Sequence, residues 1–288
     1  MNTFQRTLKT RIVISYILFF LIVRFFEHVT PSGLLSPPLA LVQMDVTYWG
    51  YQLAGISDLI VHNQAGAWLF DMLLFLTGFL SLIFPLNRPV IISFTIALFL
   101  YVISFNCFAM HHTHMLTGFM IILFPFWVSD IRKTFLLWQG IRYYTCLIYA
   151  MAFIWKVFIT KSFFNLHQGI GIFKVNLADY LYHNPETFMS AFYRFCIRES
   201  WILNLGCIII VLLEGLMIIG FFTKKLDKIL IWVPVLIHAA TYLFVDVFFG
   251  EMLVLNFAFL SLQQIDQIGK RFVILSKPFT LRPVAEVR

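Results

Sequence analysis

The residue best suited to chemistry in this sequence is Lys156, because it lies inside an almost entirely apolar stretch, residues 143–160. Placing a charged side chain at membrane depth costs roughly 2.5–3.5 kcal/mol on insertion scales. An ionisable residue in such a stretch is therefore a functional hypothesis by default. A structural explanation stays open, because a long lysine side chain can also extend its ammonium group to the membrane interface.

Histidines and a carboxylate accompany this lysine in other apolar stretches. His111, His112 and His114 form a short His-rich turn, while His238 and Glu214 each stand alone in an apolar segment. Histidine is a common metal ligand and an acid or base near neutral pH. No nearby Cys or carboxylate completes a recognised metal spacing, so we expect no metal. His238 can equally be a satisfied core histidine, and Glu214 a hydrogen-bond partner between two helices.

The other ionisable residues in apolar segments have structural interpretations. We expect Arg24 and Glu27 to pair at the membrane interface, and Asp71 to cap or pair rather than to catalyse. The four cysteines include no Cys-x-x-Cys pair, which leaves dithiol redox chemistry without support. The sequence also contains no phosphate-binding loop, dinucleotide-binding glycine motif or nucleophile elbow.

The elements that must position these side chains are transmembrane helices. Of the 288 residues, 60% are hydrophobic and only 12% are charged, against about 25% charged residues in a soluble domain. This composition predicts an all-α, multi-pass integral membrane protein surrounded by lipids, in the plasma or inner membrane if bacterial. A span requires about 17–25 apolar residues, and eight segments qualify: 11–28, 67–86, 89–110, 114–130, 141–160, 201–222, 229–245 and 247–264.

The distribution of Lys and Arg predicts which side of the membrane each helix end faces, because short cytoplasmic loops are enriched in both. Basic residues follow the second, fourth and sixth segments and occur in both termini, whereas 29–66, 111–113 and the turn around residue 246 contain none. This alternation predicts eight helices with both termini in the cytoplasm. The net charge of +7 is then mostly a topology signal and gives little support for nucleic-acid binding.

The chain is expected to form one transmembrane domain, residues 1–288, with its core at 10–265 and a short basic cytoplasmic tail at 266–288. The first segment has a basic start like that of a signal peptide, but it ends in charged residues without a small-residue cleavage site. We therefore expect it to be retained as a first span.

Two outer segments are predicted to be more than linkers. Residues 30–66 contain a Tyr-Trp cluster, which indicates a short segment lying at the membrane interface, since both residue types favour the headgroup level. Residues 184–200 predict an amphipathic surface helix with Asn184 as its cap and Pro185 at its first position. A solvated loop with chance aromatic residues is the alternative for the second segment.

This topology places most polar groups in the outer half of the bundle. Lys156 lies about one turn inside the outer end of its helix, and His238 lies near the middle of its own. The clustered histidines bracket an outer turn, and Glu214 alone lies deeper, toward the cytoplasmic half. The asymmetry predicts one polar cavity that opens to the non-cytoplasmic side.

Four stretches of the sequence carry a family resemblance. They are 104–118 with its Asn and clustered His, 143–156 with aromatic residues before Lys156, 213–220 with Leu-Glu-Gly before a basic turn, and 238–249 with a His before several Phe. In this order and spacing they resemble the HTTM family, the membrane domain shared with the vitamin K-dependent γ-glutamyl carboxylase.

The resemblance covers about residues 10–265 and implies a mechanism. It implies that Lys156 is the base that deprotonates a reduced quinone such as vitamin K hydroquinone. His112 or His114, together with His238, would be its polar companions around the quinone ring. An amine shielded from water holds its proton less tightly, so a neutral base becomes available. The large soluble domain that holds the carboxylase's protein substrate has no counterpart in this sequence.

The resemblance therefore implies a membrane enzyme, either a carboxylase-like lyase or a quinone-dependent enzyme. Its lysine base would act from the outer side on a quinone-like or lipophilic substrate. A reduced quinone is the expected cofactor, and a separate protein partner on the outer side is left open. The alternative is a non-enzymatic transport or assembly subunit in which the polar cluster is structural.

Overall fold

The computed structural model describes residues 3–34, 46–108, 116–159, 161, 168–245, 249–261 and 263–268. Every regular element within these residues is a helix, which confirms the all-α prediction. Four helices are long and apolar enough to cross a membrane, namely Gln64–Ile83, Arg88–Cys107, Ser200–Phe221 and Asp227–Phe244.

The α-helices, in chain order, are α1 (Thr3–Phe26), α2 (Val46–Leu53), α3 (Ile56–Ile60), α4 (Gln64–Ile83), α5 (Arg88–Phe108), α6 (Thr117–Ile121), α7 (Phe124–Trp127), α8 (Ile131–Ile154), α9 (Gln168–His183), α10 (Phe188–Arg198), α11 (Ser200–Leu216), α12 (Asp227–Leu230) and α13 (Trp232–Val245). Three elements have other windings. A π-turn, Trp155–Ile159, continues α8, and a 3₁₀ turn, Met217–Phe221, continues α11. A 3₁₀ helix, Gly250–Phe259, follows α13.

Local sequence signals set several helix ends. The side chain of Asn63 accepts a hydrogen bond from the backbone N–H of Gly66 at 3.2 Å and caps α4. Asp130 caps α8 by accepting from the N–H of Arg132 at 2.7 Å. The Pro-rich turn between α4 and α5 closes where Asn87 N–H donates to the carbonyl of Phe84 at 3.0 Å. Predicted segments 67–86 and 89–110 thus correspond closely to α4 and α5.

Two predicted spans contain shorter elements in the described residues. Segment 114–130 contains the short helices α6 and α7, and Pro125 near the start of α7 explains the break, because proline lacks an N–H and clashes with the preceding turn. Segment 247–264 contains a 3₁₀ helix of 10 residues, which at about 2.0 Å per residue extends for about 20 Å. Neither element alone crosses about 30 Å of hydrocarbon.

Residues between the predicted spans form more helix than expected. Residues 46–60 form α2 and α3, and residues 168–183, which lie between the predicted spans 141–160 and 201–222, form α9. The predicted surface helix at 184–200 is present as α10, with buried and exposed faces. Its cap differs from the prediction, because the side chain of Thr187, not Asn184, accepts from the N–H of Ser190 at 3.2 Å.

The buried side chains form three clusters. The largest joins α1, α4, α5, α6, α7 and the final 3₁₀ helix. A second joins α8, α12, α13 and the 3₁₀ turn after α11 around Cys146, Met217 and Ile237. The third holds α9, α10 and α11 together. Only 22% of the most apolar window of Ser200–Phe221 is buried, and such an apolar outer surface suits a hydrocarbon surrounding better than water.

One end of the helical bundle collects the segments that the basic-residue pattern assigned to a single side. Lys9 near the N-terminus, Gln139 of α8, the 224–228 turn and Gln264 line one cavity there. Gln5 also donates to both carboxylate oxygens of Asp266 at 3.0 Å. The N-terminal residues, the first part of α8, the 224–228 turn and residues 264–266 therefore lie at the same end of the bundle.

Candidate functional site

Lys156 lies in the π-turn at the end of α8 and is paired with Glu214 of α11. Its Nζ donates to Glu214 Oε1, and the side chains are 36% and 6% exposed, respectively. Lys156 is thus half-buried, and its ammonium group contacts a buried carboxylate. π-turns inside helices occur often at functional sites, and this one carries the only lysine of the predicted span 141–160.

Close packing between α8 and α11 sets the level at which this pair forms. A Cβ placed on Gly215 would come within 2.9 Å of the Phe153 ring, and one on Gly220 within 2.4 Å of Cys146 Sγ. Later residues of α8 thus contact earlier residues of α11 and its 3₁₀ turn, so the two helices are antiparallel. The sequence placed Glu214 deeper than Lys156, and their contact corrects that placement: both belong to one polar centre.

His238 of α13 is bonded to a tyrosine of α8. The Tyr149 hydroxyl and His238 Nε2 are 2.7 Å apart, and both residues are buried, at 5% and 6% exposure. Tyr149 precedes Lys156 by seven residues, about two helical turns, so both lie on similar faces of α8. Glu214 also interacts electrostatically with Tyr149. The Lys156–Glu214 pair and the Tyr149–His238 pair are therefore neighbours.

Two polar atoms in this centre are buried without a partner in the described part of the chain. They are Glu214 Oε2 and His238 Nδ1. A buried polar atom without a hydrogen bond costs about 1–3 kcal/mol, so such atoms persist where they are needed for something else. If Tyr149 donates to His238 Nε2, then Nδ1 carries the imidazole proton, and the centre offers one free acceptor and one free donor.

A second buried ion pair lies beside this centre and serves a structural role. Arg24 of α1 donates to Glu251 Oε1 through Nε at 2.9 Å and Nη2 at 2.7 Å, and to the Tyr101 hydroxyl at 3.0 Å. Tyr101 in turn donates to the carbonyl of Val29 at 3.2 Å. These bonds connect α1, α5 and the final 3₁₀ helix. Glu251 also interacts electrostatically with His238.

The sequence-based pairing of Arg24 with Glu27 is wrong. Arg24 is 1% exposed and turns inward to Glu251, whereas Glu27 follows the last residue of α1 and is exposed. A tertiary contact 227 residues apart in the chain overrides the local one. Asp71 has the expected structural role, because its Oδ2 accepts from Thr30 Oγ1 at 3.0 Å and from Ser32 N–H at 3.1 Å.

The predicted site residues are only partly brought together. Lys156 and His238 belong to the centre described above, through their partners Glu214 and Tyr149. His112 and His114 lie outside the described residues, as does His111. Across the part of the chain that is described, no three His, Cys, Asp or Glu side chains are arranged to hold a metal ion.

Tyr149 is the member of the centre that sequence reasoning missed as a site residue. A signal for it was present, since a tyrosine two turns before the half-buried lysine shares its helix face. The partner of Glu214 could not be identified in the same way, because the match between α8 and α11 depends on the close packing at Gly215 and Gly220.

Comparisons of the chain with models of known protein families, with curated proteins and with solved structures gave no match.

Proposed function

We propose that this chain is an integral membrane enzyme whose Lys156–Glu214 pair exchanges a proton with a lipophilic substrate, of which a quinone-like molecule is the leading candidate. The observation that supports this most is the buried Glu214 carboxylate. One of its oxygens accepts from Lys156, and the other has no partner among the described residues. A carboxylate oxygen held free of water in an apolar bundle is suited to accept a proton.

The pair acts as a unit in this proposal. An ammonium next to a carboxylate is close to neutral overall, which costs less in a medium of low dielectric constant than either charge buried alone. Glu214 Oε2 accepts the proton of a substrate hydroxyl, and the Lys156 ammonium then stabilises the negative charge left on the substrate oxygen. This differs from the role that the HTTM resemblance implies for Lys156, because the group that accepts the proton here is the Glu214 carboxylate.

Tyr149 and His238 position the substrate in this arrangement. A reduced quinone has two hydroxyl groups on an apolar ring, and it would supply the acidic hydroxyl when bound. Its hydroxyls suit the available acceptor at Glu214 Oε2 and the available group at His238 Nδ1. Its ring suits an aromatic neighbourhood such as that of Phe249, whose ring centroid lies 5.5 Å from that of His238.

The membrane topology belongs to the same proposal. We infer a multi-pass arrangement with both termini on the cytoplasmic side, supported by four helices of spanning length and by the collection of basic segments at one end of the bundle. The eight predicted segments would then include two short elements, α6–α7 and Gly250–Phe259. These two elements contact each other, and Gly118 lies against the Glu251 carbonyl.

The test measures proton transfer with a defined probe. Purified protein in lipid nanodiscs is mixed with a reduced short-chain naphthoquinone without oxygen, and the absorbance of the quinolate anion is followed at fixed pH. We expect protein-dependent quinolate formation, its loss in Glu214→Gln and a strong reduction in Lys156→Met. Lys161→Gln is the matched control, because Lys161 is an exposed lysine five residues further on. Full quinolate formation by Glu214→Gln would refute the proposal.

The non-enzymatic alternative has its own support, because Lys156 and Glu214 connect α8 to α11 and thereby stabilise the bundle. A double variant, Lys156→Met with Glu214→Leu, separates the two possibilities. Replacing an ion pair by apolar side chains of similar size is often neutral for stability. A variant with unchanged thermal stability that neither binds the probe nor forms quinolate supports the enzyme. A variant in which binding and quinolate formation persist supports the structural role.

A further inference from the structure

A cavity with a basic lining lies at the end of the bundle away from the Lys156–Glu214 pair. It has a volume of about 290 Å³, close to the lower end of the range for small-molecule sites. Four lysines line it: Lys9 of α1 and Lys224, Lys225 and Lys228 around the start of α12. The three lysines near α12 are exposed, whereas Lys9 is 4% exposed.

The lysines around this cavity are not neutralised by the acids near them. Asp227 also lines the cavity, but Arg142 binds both of its carboxylate oxygens, through Nε at 2.9 and 3.1 Å and through Nη2 at 2.6 Å. Asp266 is likewise bonded to Gln5. Within the described residues, no carboxylate forms an ion pair with any of the four lysines. The cavity therefore carries a concentrated positive charge.

Lys9 is unusual among these four because it is buried. Its Nζ lies 3.5 Å from the centroid of the Trp138 ring, whose face attracts a cation. Burial nevertheless lowers the pKa of Lys9 to about 7. A buried ammonium that has an aromatic ring but no anion as its neighbour is the group that gains most from an incoming negative charge.

The rest of the lining is largely apolar and aromatic. Phe135, Trp138, Phe259 and Leu260 contribute to it. Trp138 is 4% exposed and buries its Nε1–H without an acceptor in the described part of the structure. A ligand for this cavity thus needs negative charge for the lysines, a hydrogen-bond acceptor, and an apolar part.

We propose that this cavity binds the phosphate of a phosphate ester, and that its occupant is the headgroup of an anionic phospholipid. Phosphate is the anion that several lysines bind together as point charges. Basic pockets between membrane helices on the cytoplasmic side are suited to such headgroups. The aromatic lining accommodates the glycerol carbons and the apolar upper acyl region, which a free phosphate ion lacks.

The experiment titrates the purified full-length protein in a neutral detergent with three probes, and bound ligand is counted by native mass spectrometry. The probes are a short-chain phosphatidic acid, the matched phosphatidylcholine, and glycerol 3-phosphate. We expect one molecule of phosphatidic acid to bind per chain and phosphatidylcholine to bind much more weakly. Equal binding of glycerol 3-phosphate would keep the phosphate site but assign it to a soluble ester. Equal binding of phosphatidylcholine would overturn the proposal.

Lysine variants test whether this cavity is the binding site. Lys225→Gln and Lys228→Gln change exposed side chains and are expected to fold normally; each should weaken binding about fivefold. Lys9→Met keeps the packing on Trp138 and should weaken it at least as much. Lys133→Gln is the matched control, since Lys133 is exposed on α8 and is not part of the cavity lining. Equal weakening by Lys133→Gln and Lys225→Gln would overturn the proposal in favour of general surface attraction.

Discussion

Arg142 provides the sharpest test of the packing that holds the candidate site in place. Its guanidinium group, on α8, donates to Asp227 and also to the carbonyl oxygens of Gly220 at 2.8 Å and Thr223 at 2.9 Å. The arginine is 1% exposed and Asp227 is 17% exposed. One side chain thus fixes α8 to the whole turn between α11 and α12, on the same two helices that bring Lys156 to Glu214.

Replacing Arg142 by methionine removes the donors and leaves the carboxylate and both carbonyls behind. Breaking a buried ion pair by removing one partner costs about 3–5 kcal/mol. Because Asp227 is partly hydrated, we expect the lower end, about 3 kcal/mol. At roughly 2–4 °C per kcal/mol for a protein of this size, Arg142→Met should lower the melting temperature by about 6–12 °C. Arg142→Lys should fall between, since an ammonium cannot reproduce the planar fork.

The assay is thermal unfolding of purified protein in detergent, followed by tryptophan fluorescence. Arg132→Met is the matched control, because Arg132 is an exposed arginine in the first turn of the same helix, and it should shift the melting temperature by no more than about 2 °C. A double-mutant cycle of Arg142→Met with Asp227→Asn should show coupling. A melting temperature for Arg142→Met equal to that of Arg132→Met would refute the reasoning.

Two further predictions concern glycine packing and pH. Gly215→Ala should destabilise the protein by about 1–3 kcal/mol, because its Cβ would lie 2.9 Å from the Phe153 ring. Gly206→Ala should not, because its Cβ would meet nothing within 4 Å beyond its own helix backbone and chain neighbours. A combined Phe153→Leu should restore stability, and equal melting temperatures for both alanine variants would contradict this. Burial lowers the pKa of Lys9, which precedes the first predicted span, to about 7. At pH values between about 7 and the unfolded-state lysine pKa of about 10.4, Lys9 binds a proton in the unfolded chain but not in the folded one. The free energy of unfolding should therefore rise with pH, by at most about 1.4 kcal/mol per pH unit. Lys9→Met should abolish that rise in melting curves recorded across this range, and an unchanged rise would assign it to other groups.

The sequence predicts the long helices α4 and α5 closely because their signals are local. Apolar length, Asn63 as a cap and the proline-rich turn around Asn87 determine their ends to within about three residues. The sequence predicts the shorter apolar elements poorly, because apolar length alone does not distinguish a full span from two short helices interrupted at Pro125. Helix α9 was missed for a related reason: its apolar residues are too few to indicate a span, and it is stabilised by tertiary packing against α10 and α11.

In the candidate site, too, the sequence identifies the ionisable residues but not the side chains that they contact. Lys156, Glu214 and His238 were all conspicuous as ionisable groups in apolar segments, and burial of Glu214 and His238 agrees with that expectation. Their partners depend on how helices distant in sequence are aligned. Arg24 illustrates the difficulty. It pairs not with Glu27, three residues away, but with Glu251, 227 residues away, because α1 packs against the final 3₁₀ helix.

The two polar features of this bundle differ in how their charges are balanced, and that difference separates their expected ligands. At the Lys156–Glu214 pair a cation and an anion already face each other, so the net charge is small and the neutral, weakly acidic ligand that we propose, a hydroquinone, is suitable. In the basic cavity Asp227 is paired with Arg142, and none of the four lysines forms an ion pair with a described carboxylate, so we expect an anion to bind there. A neutral quinone should therefore not compete with phosphatidic acid for binding. Competition between the two ligands would mean that they share one site, which contradicts the separation of the two features along the helices.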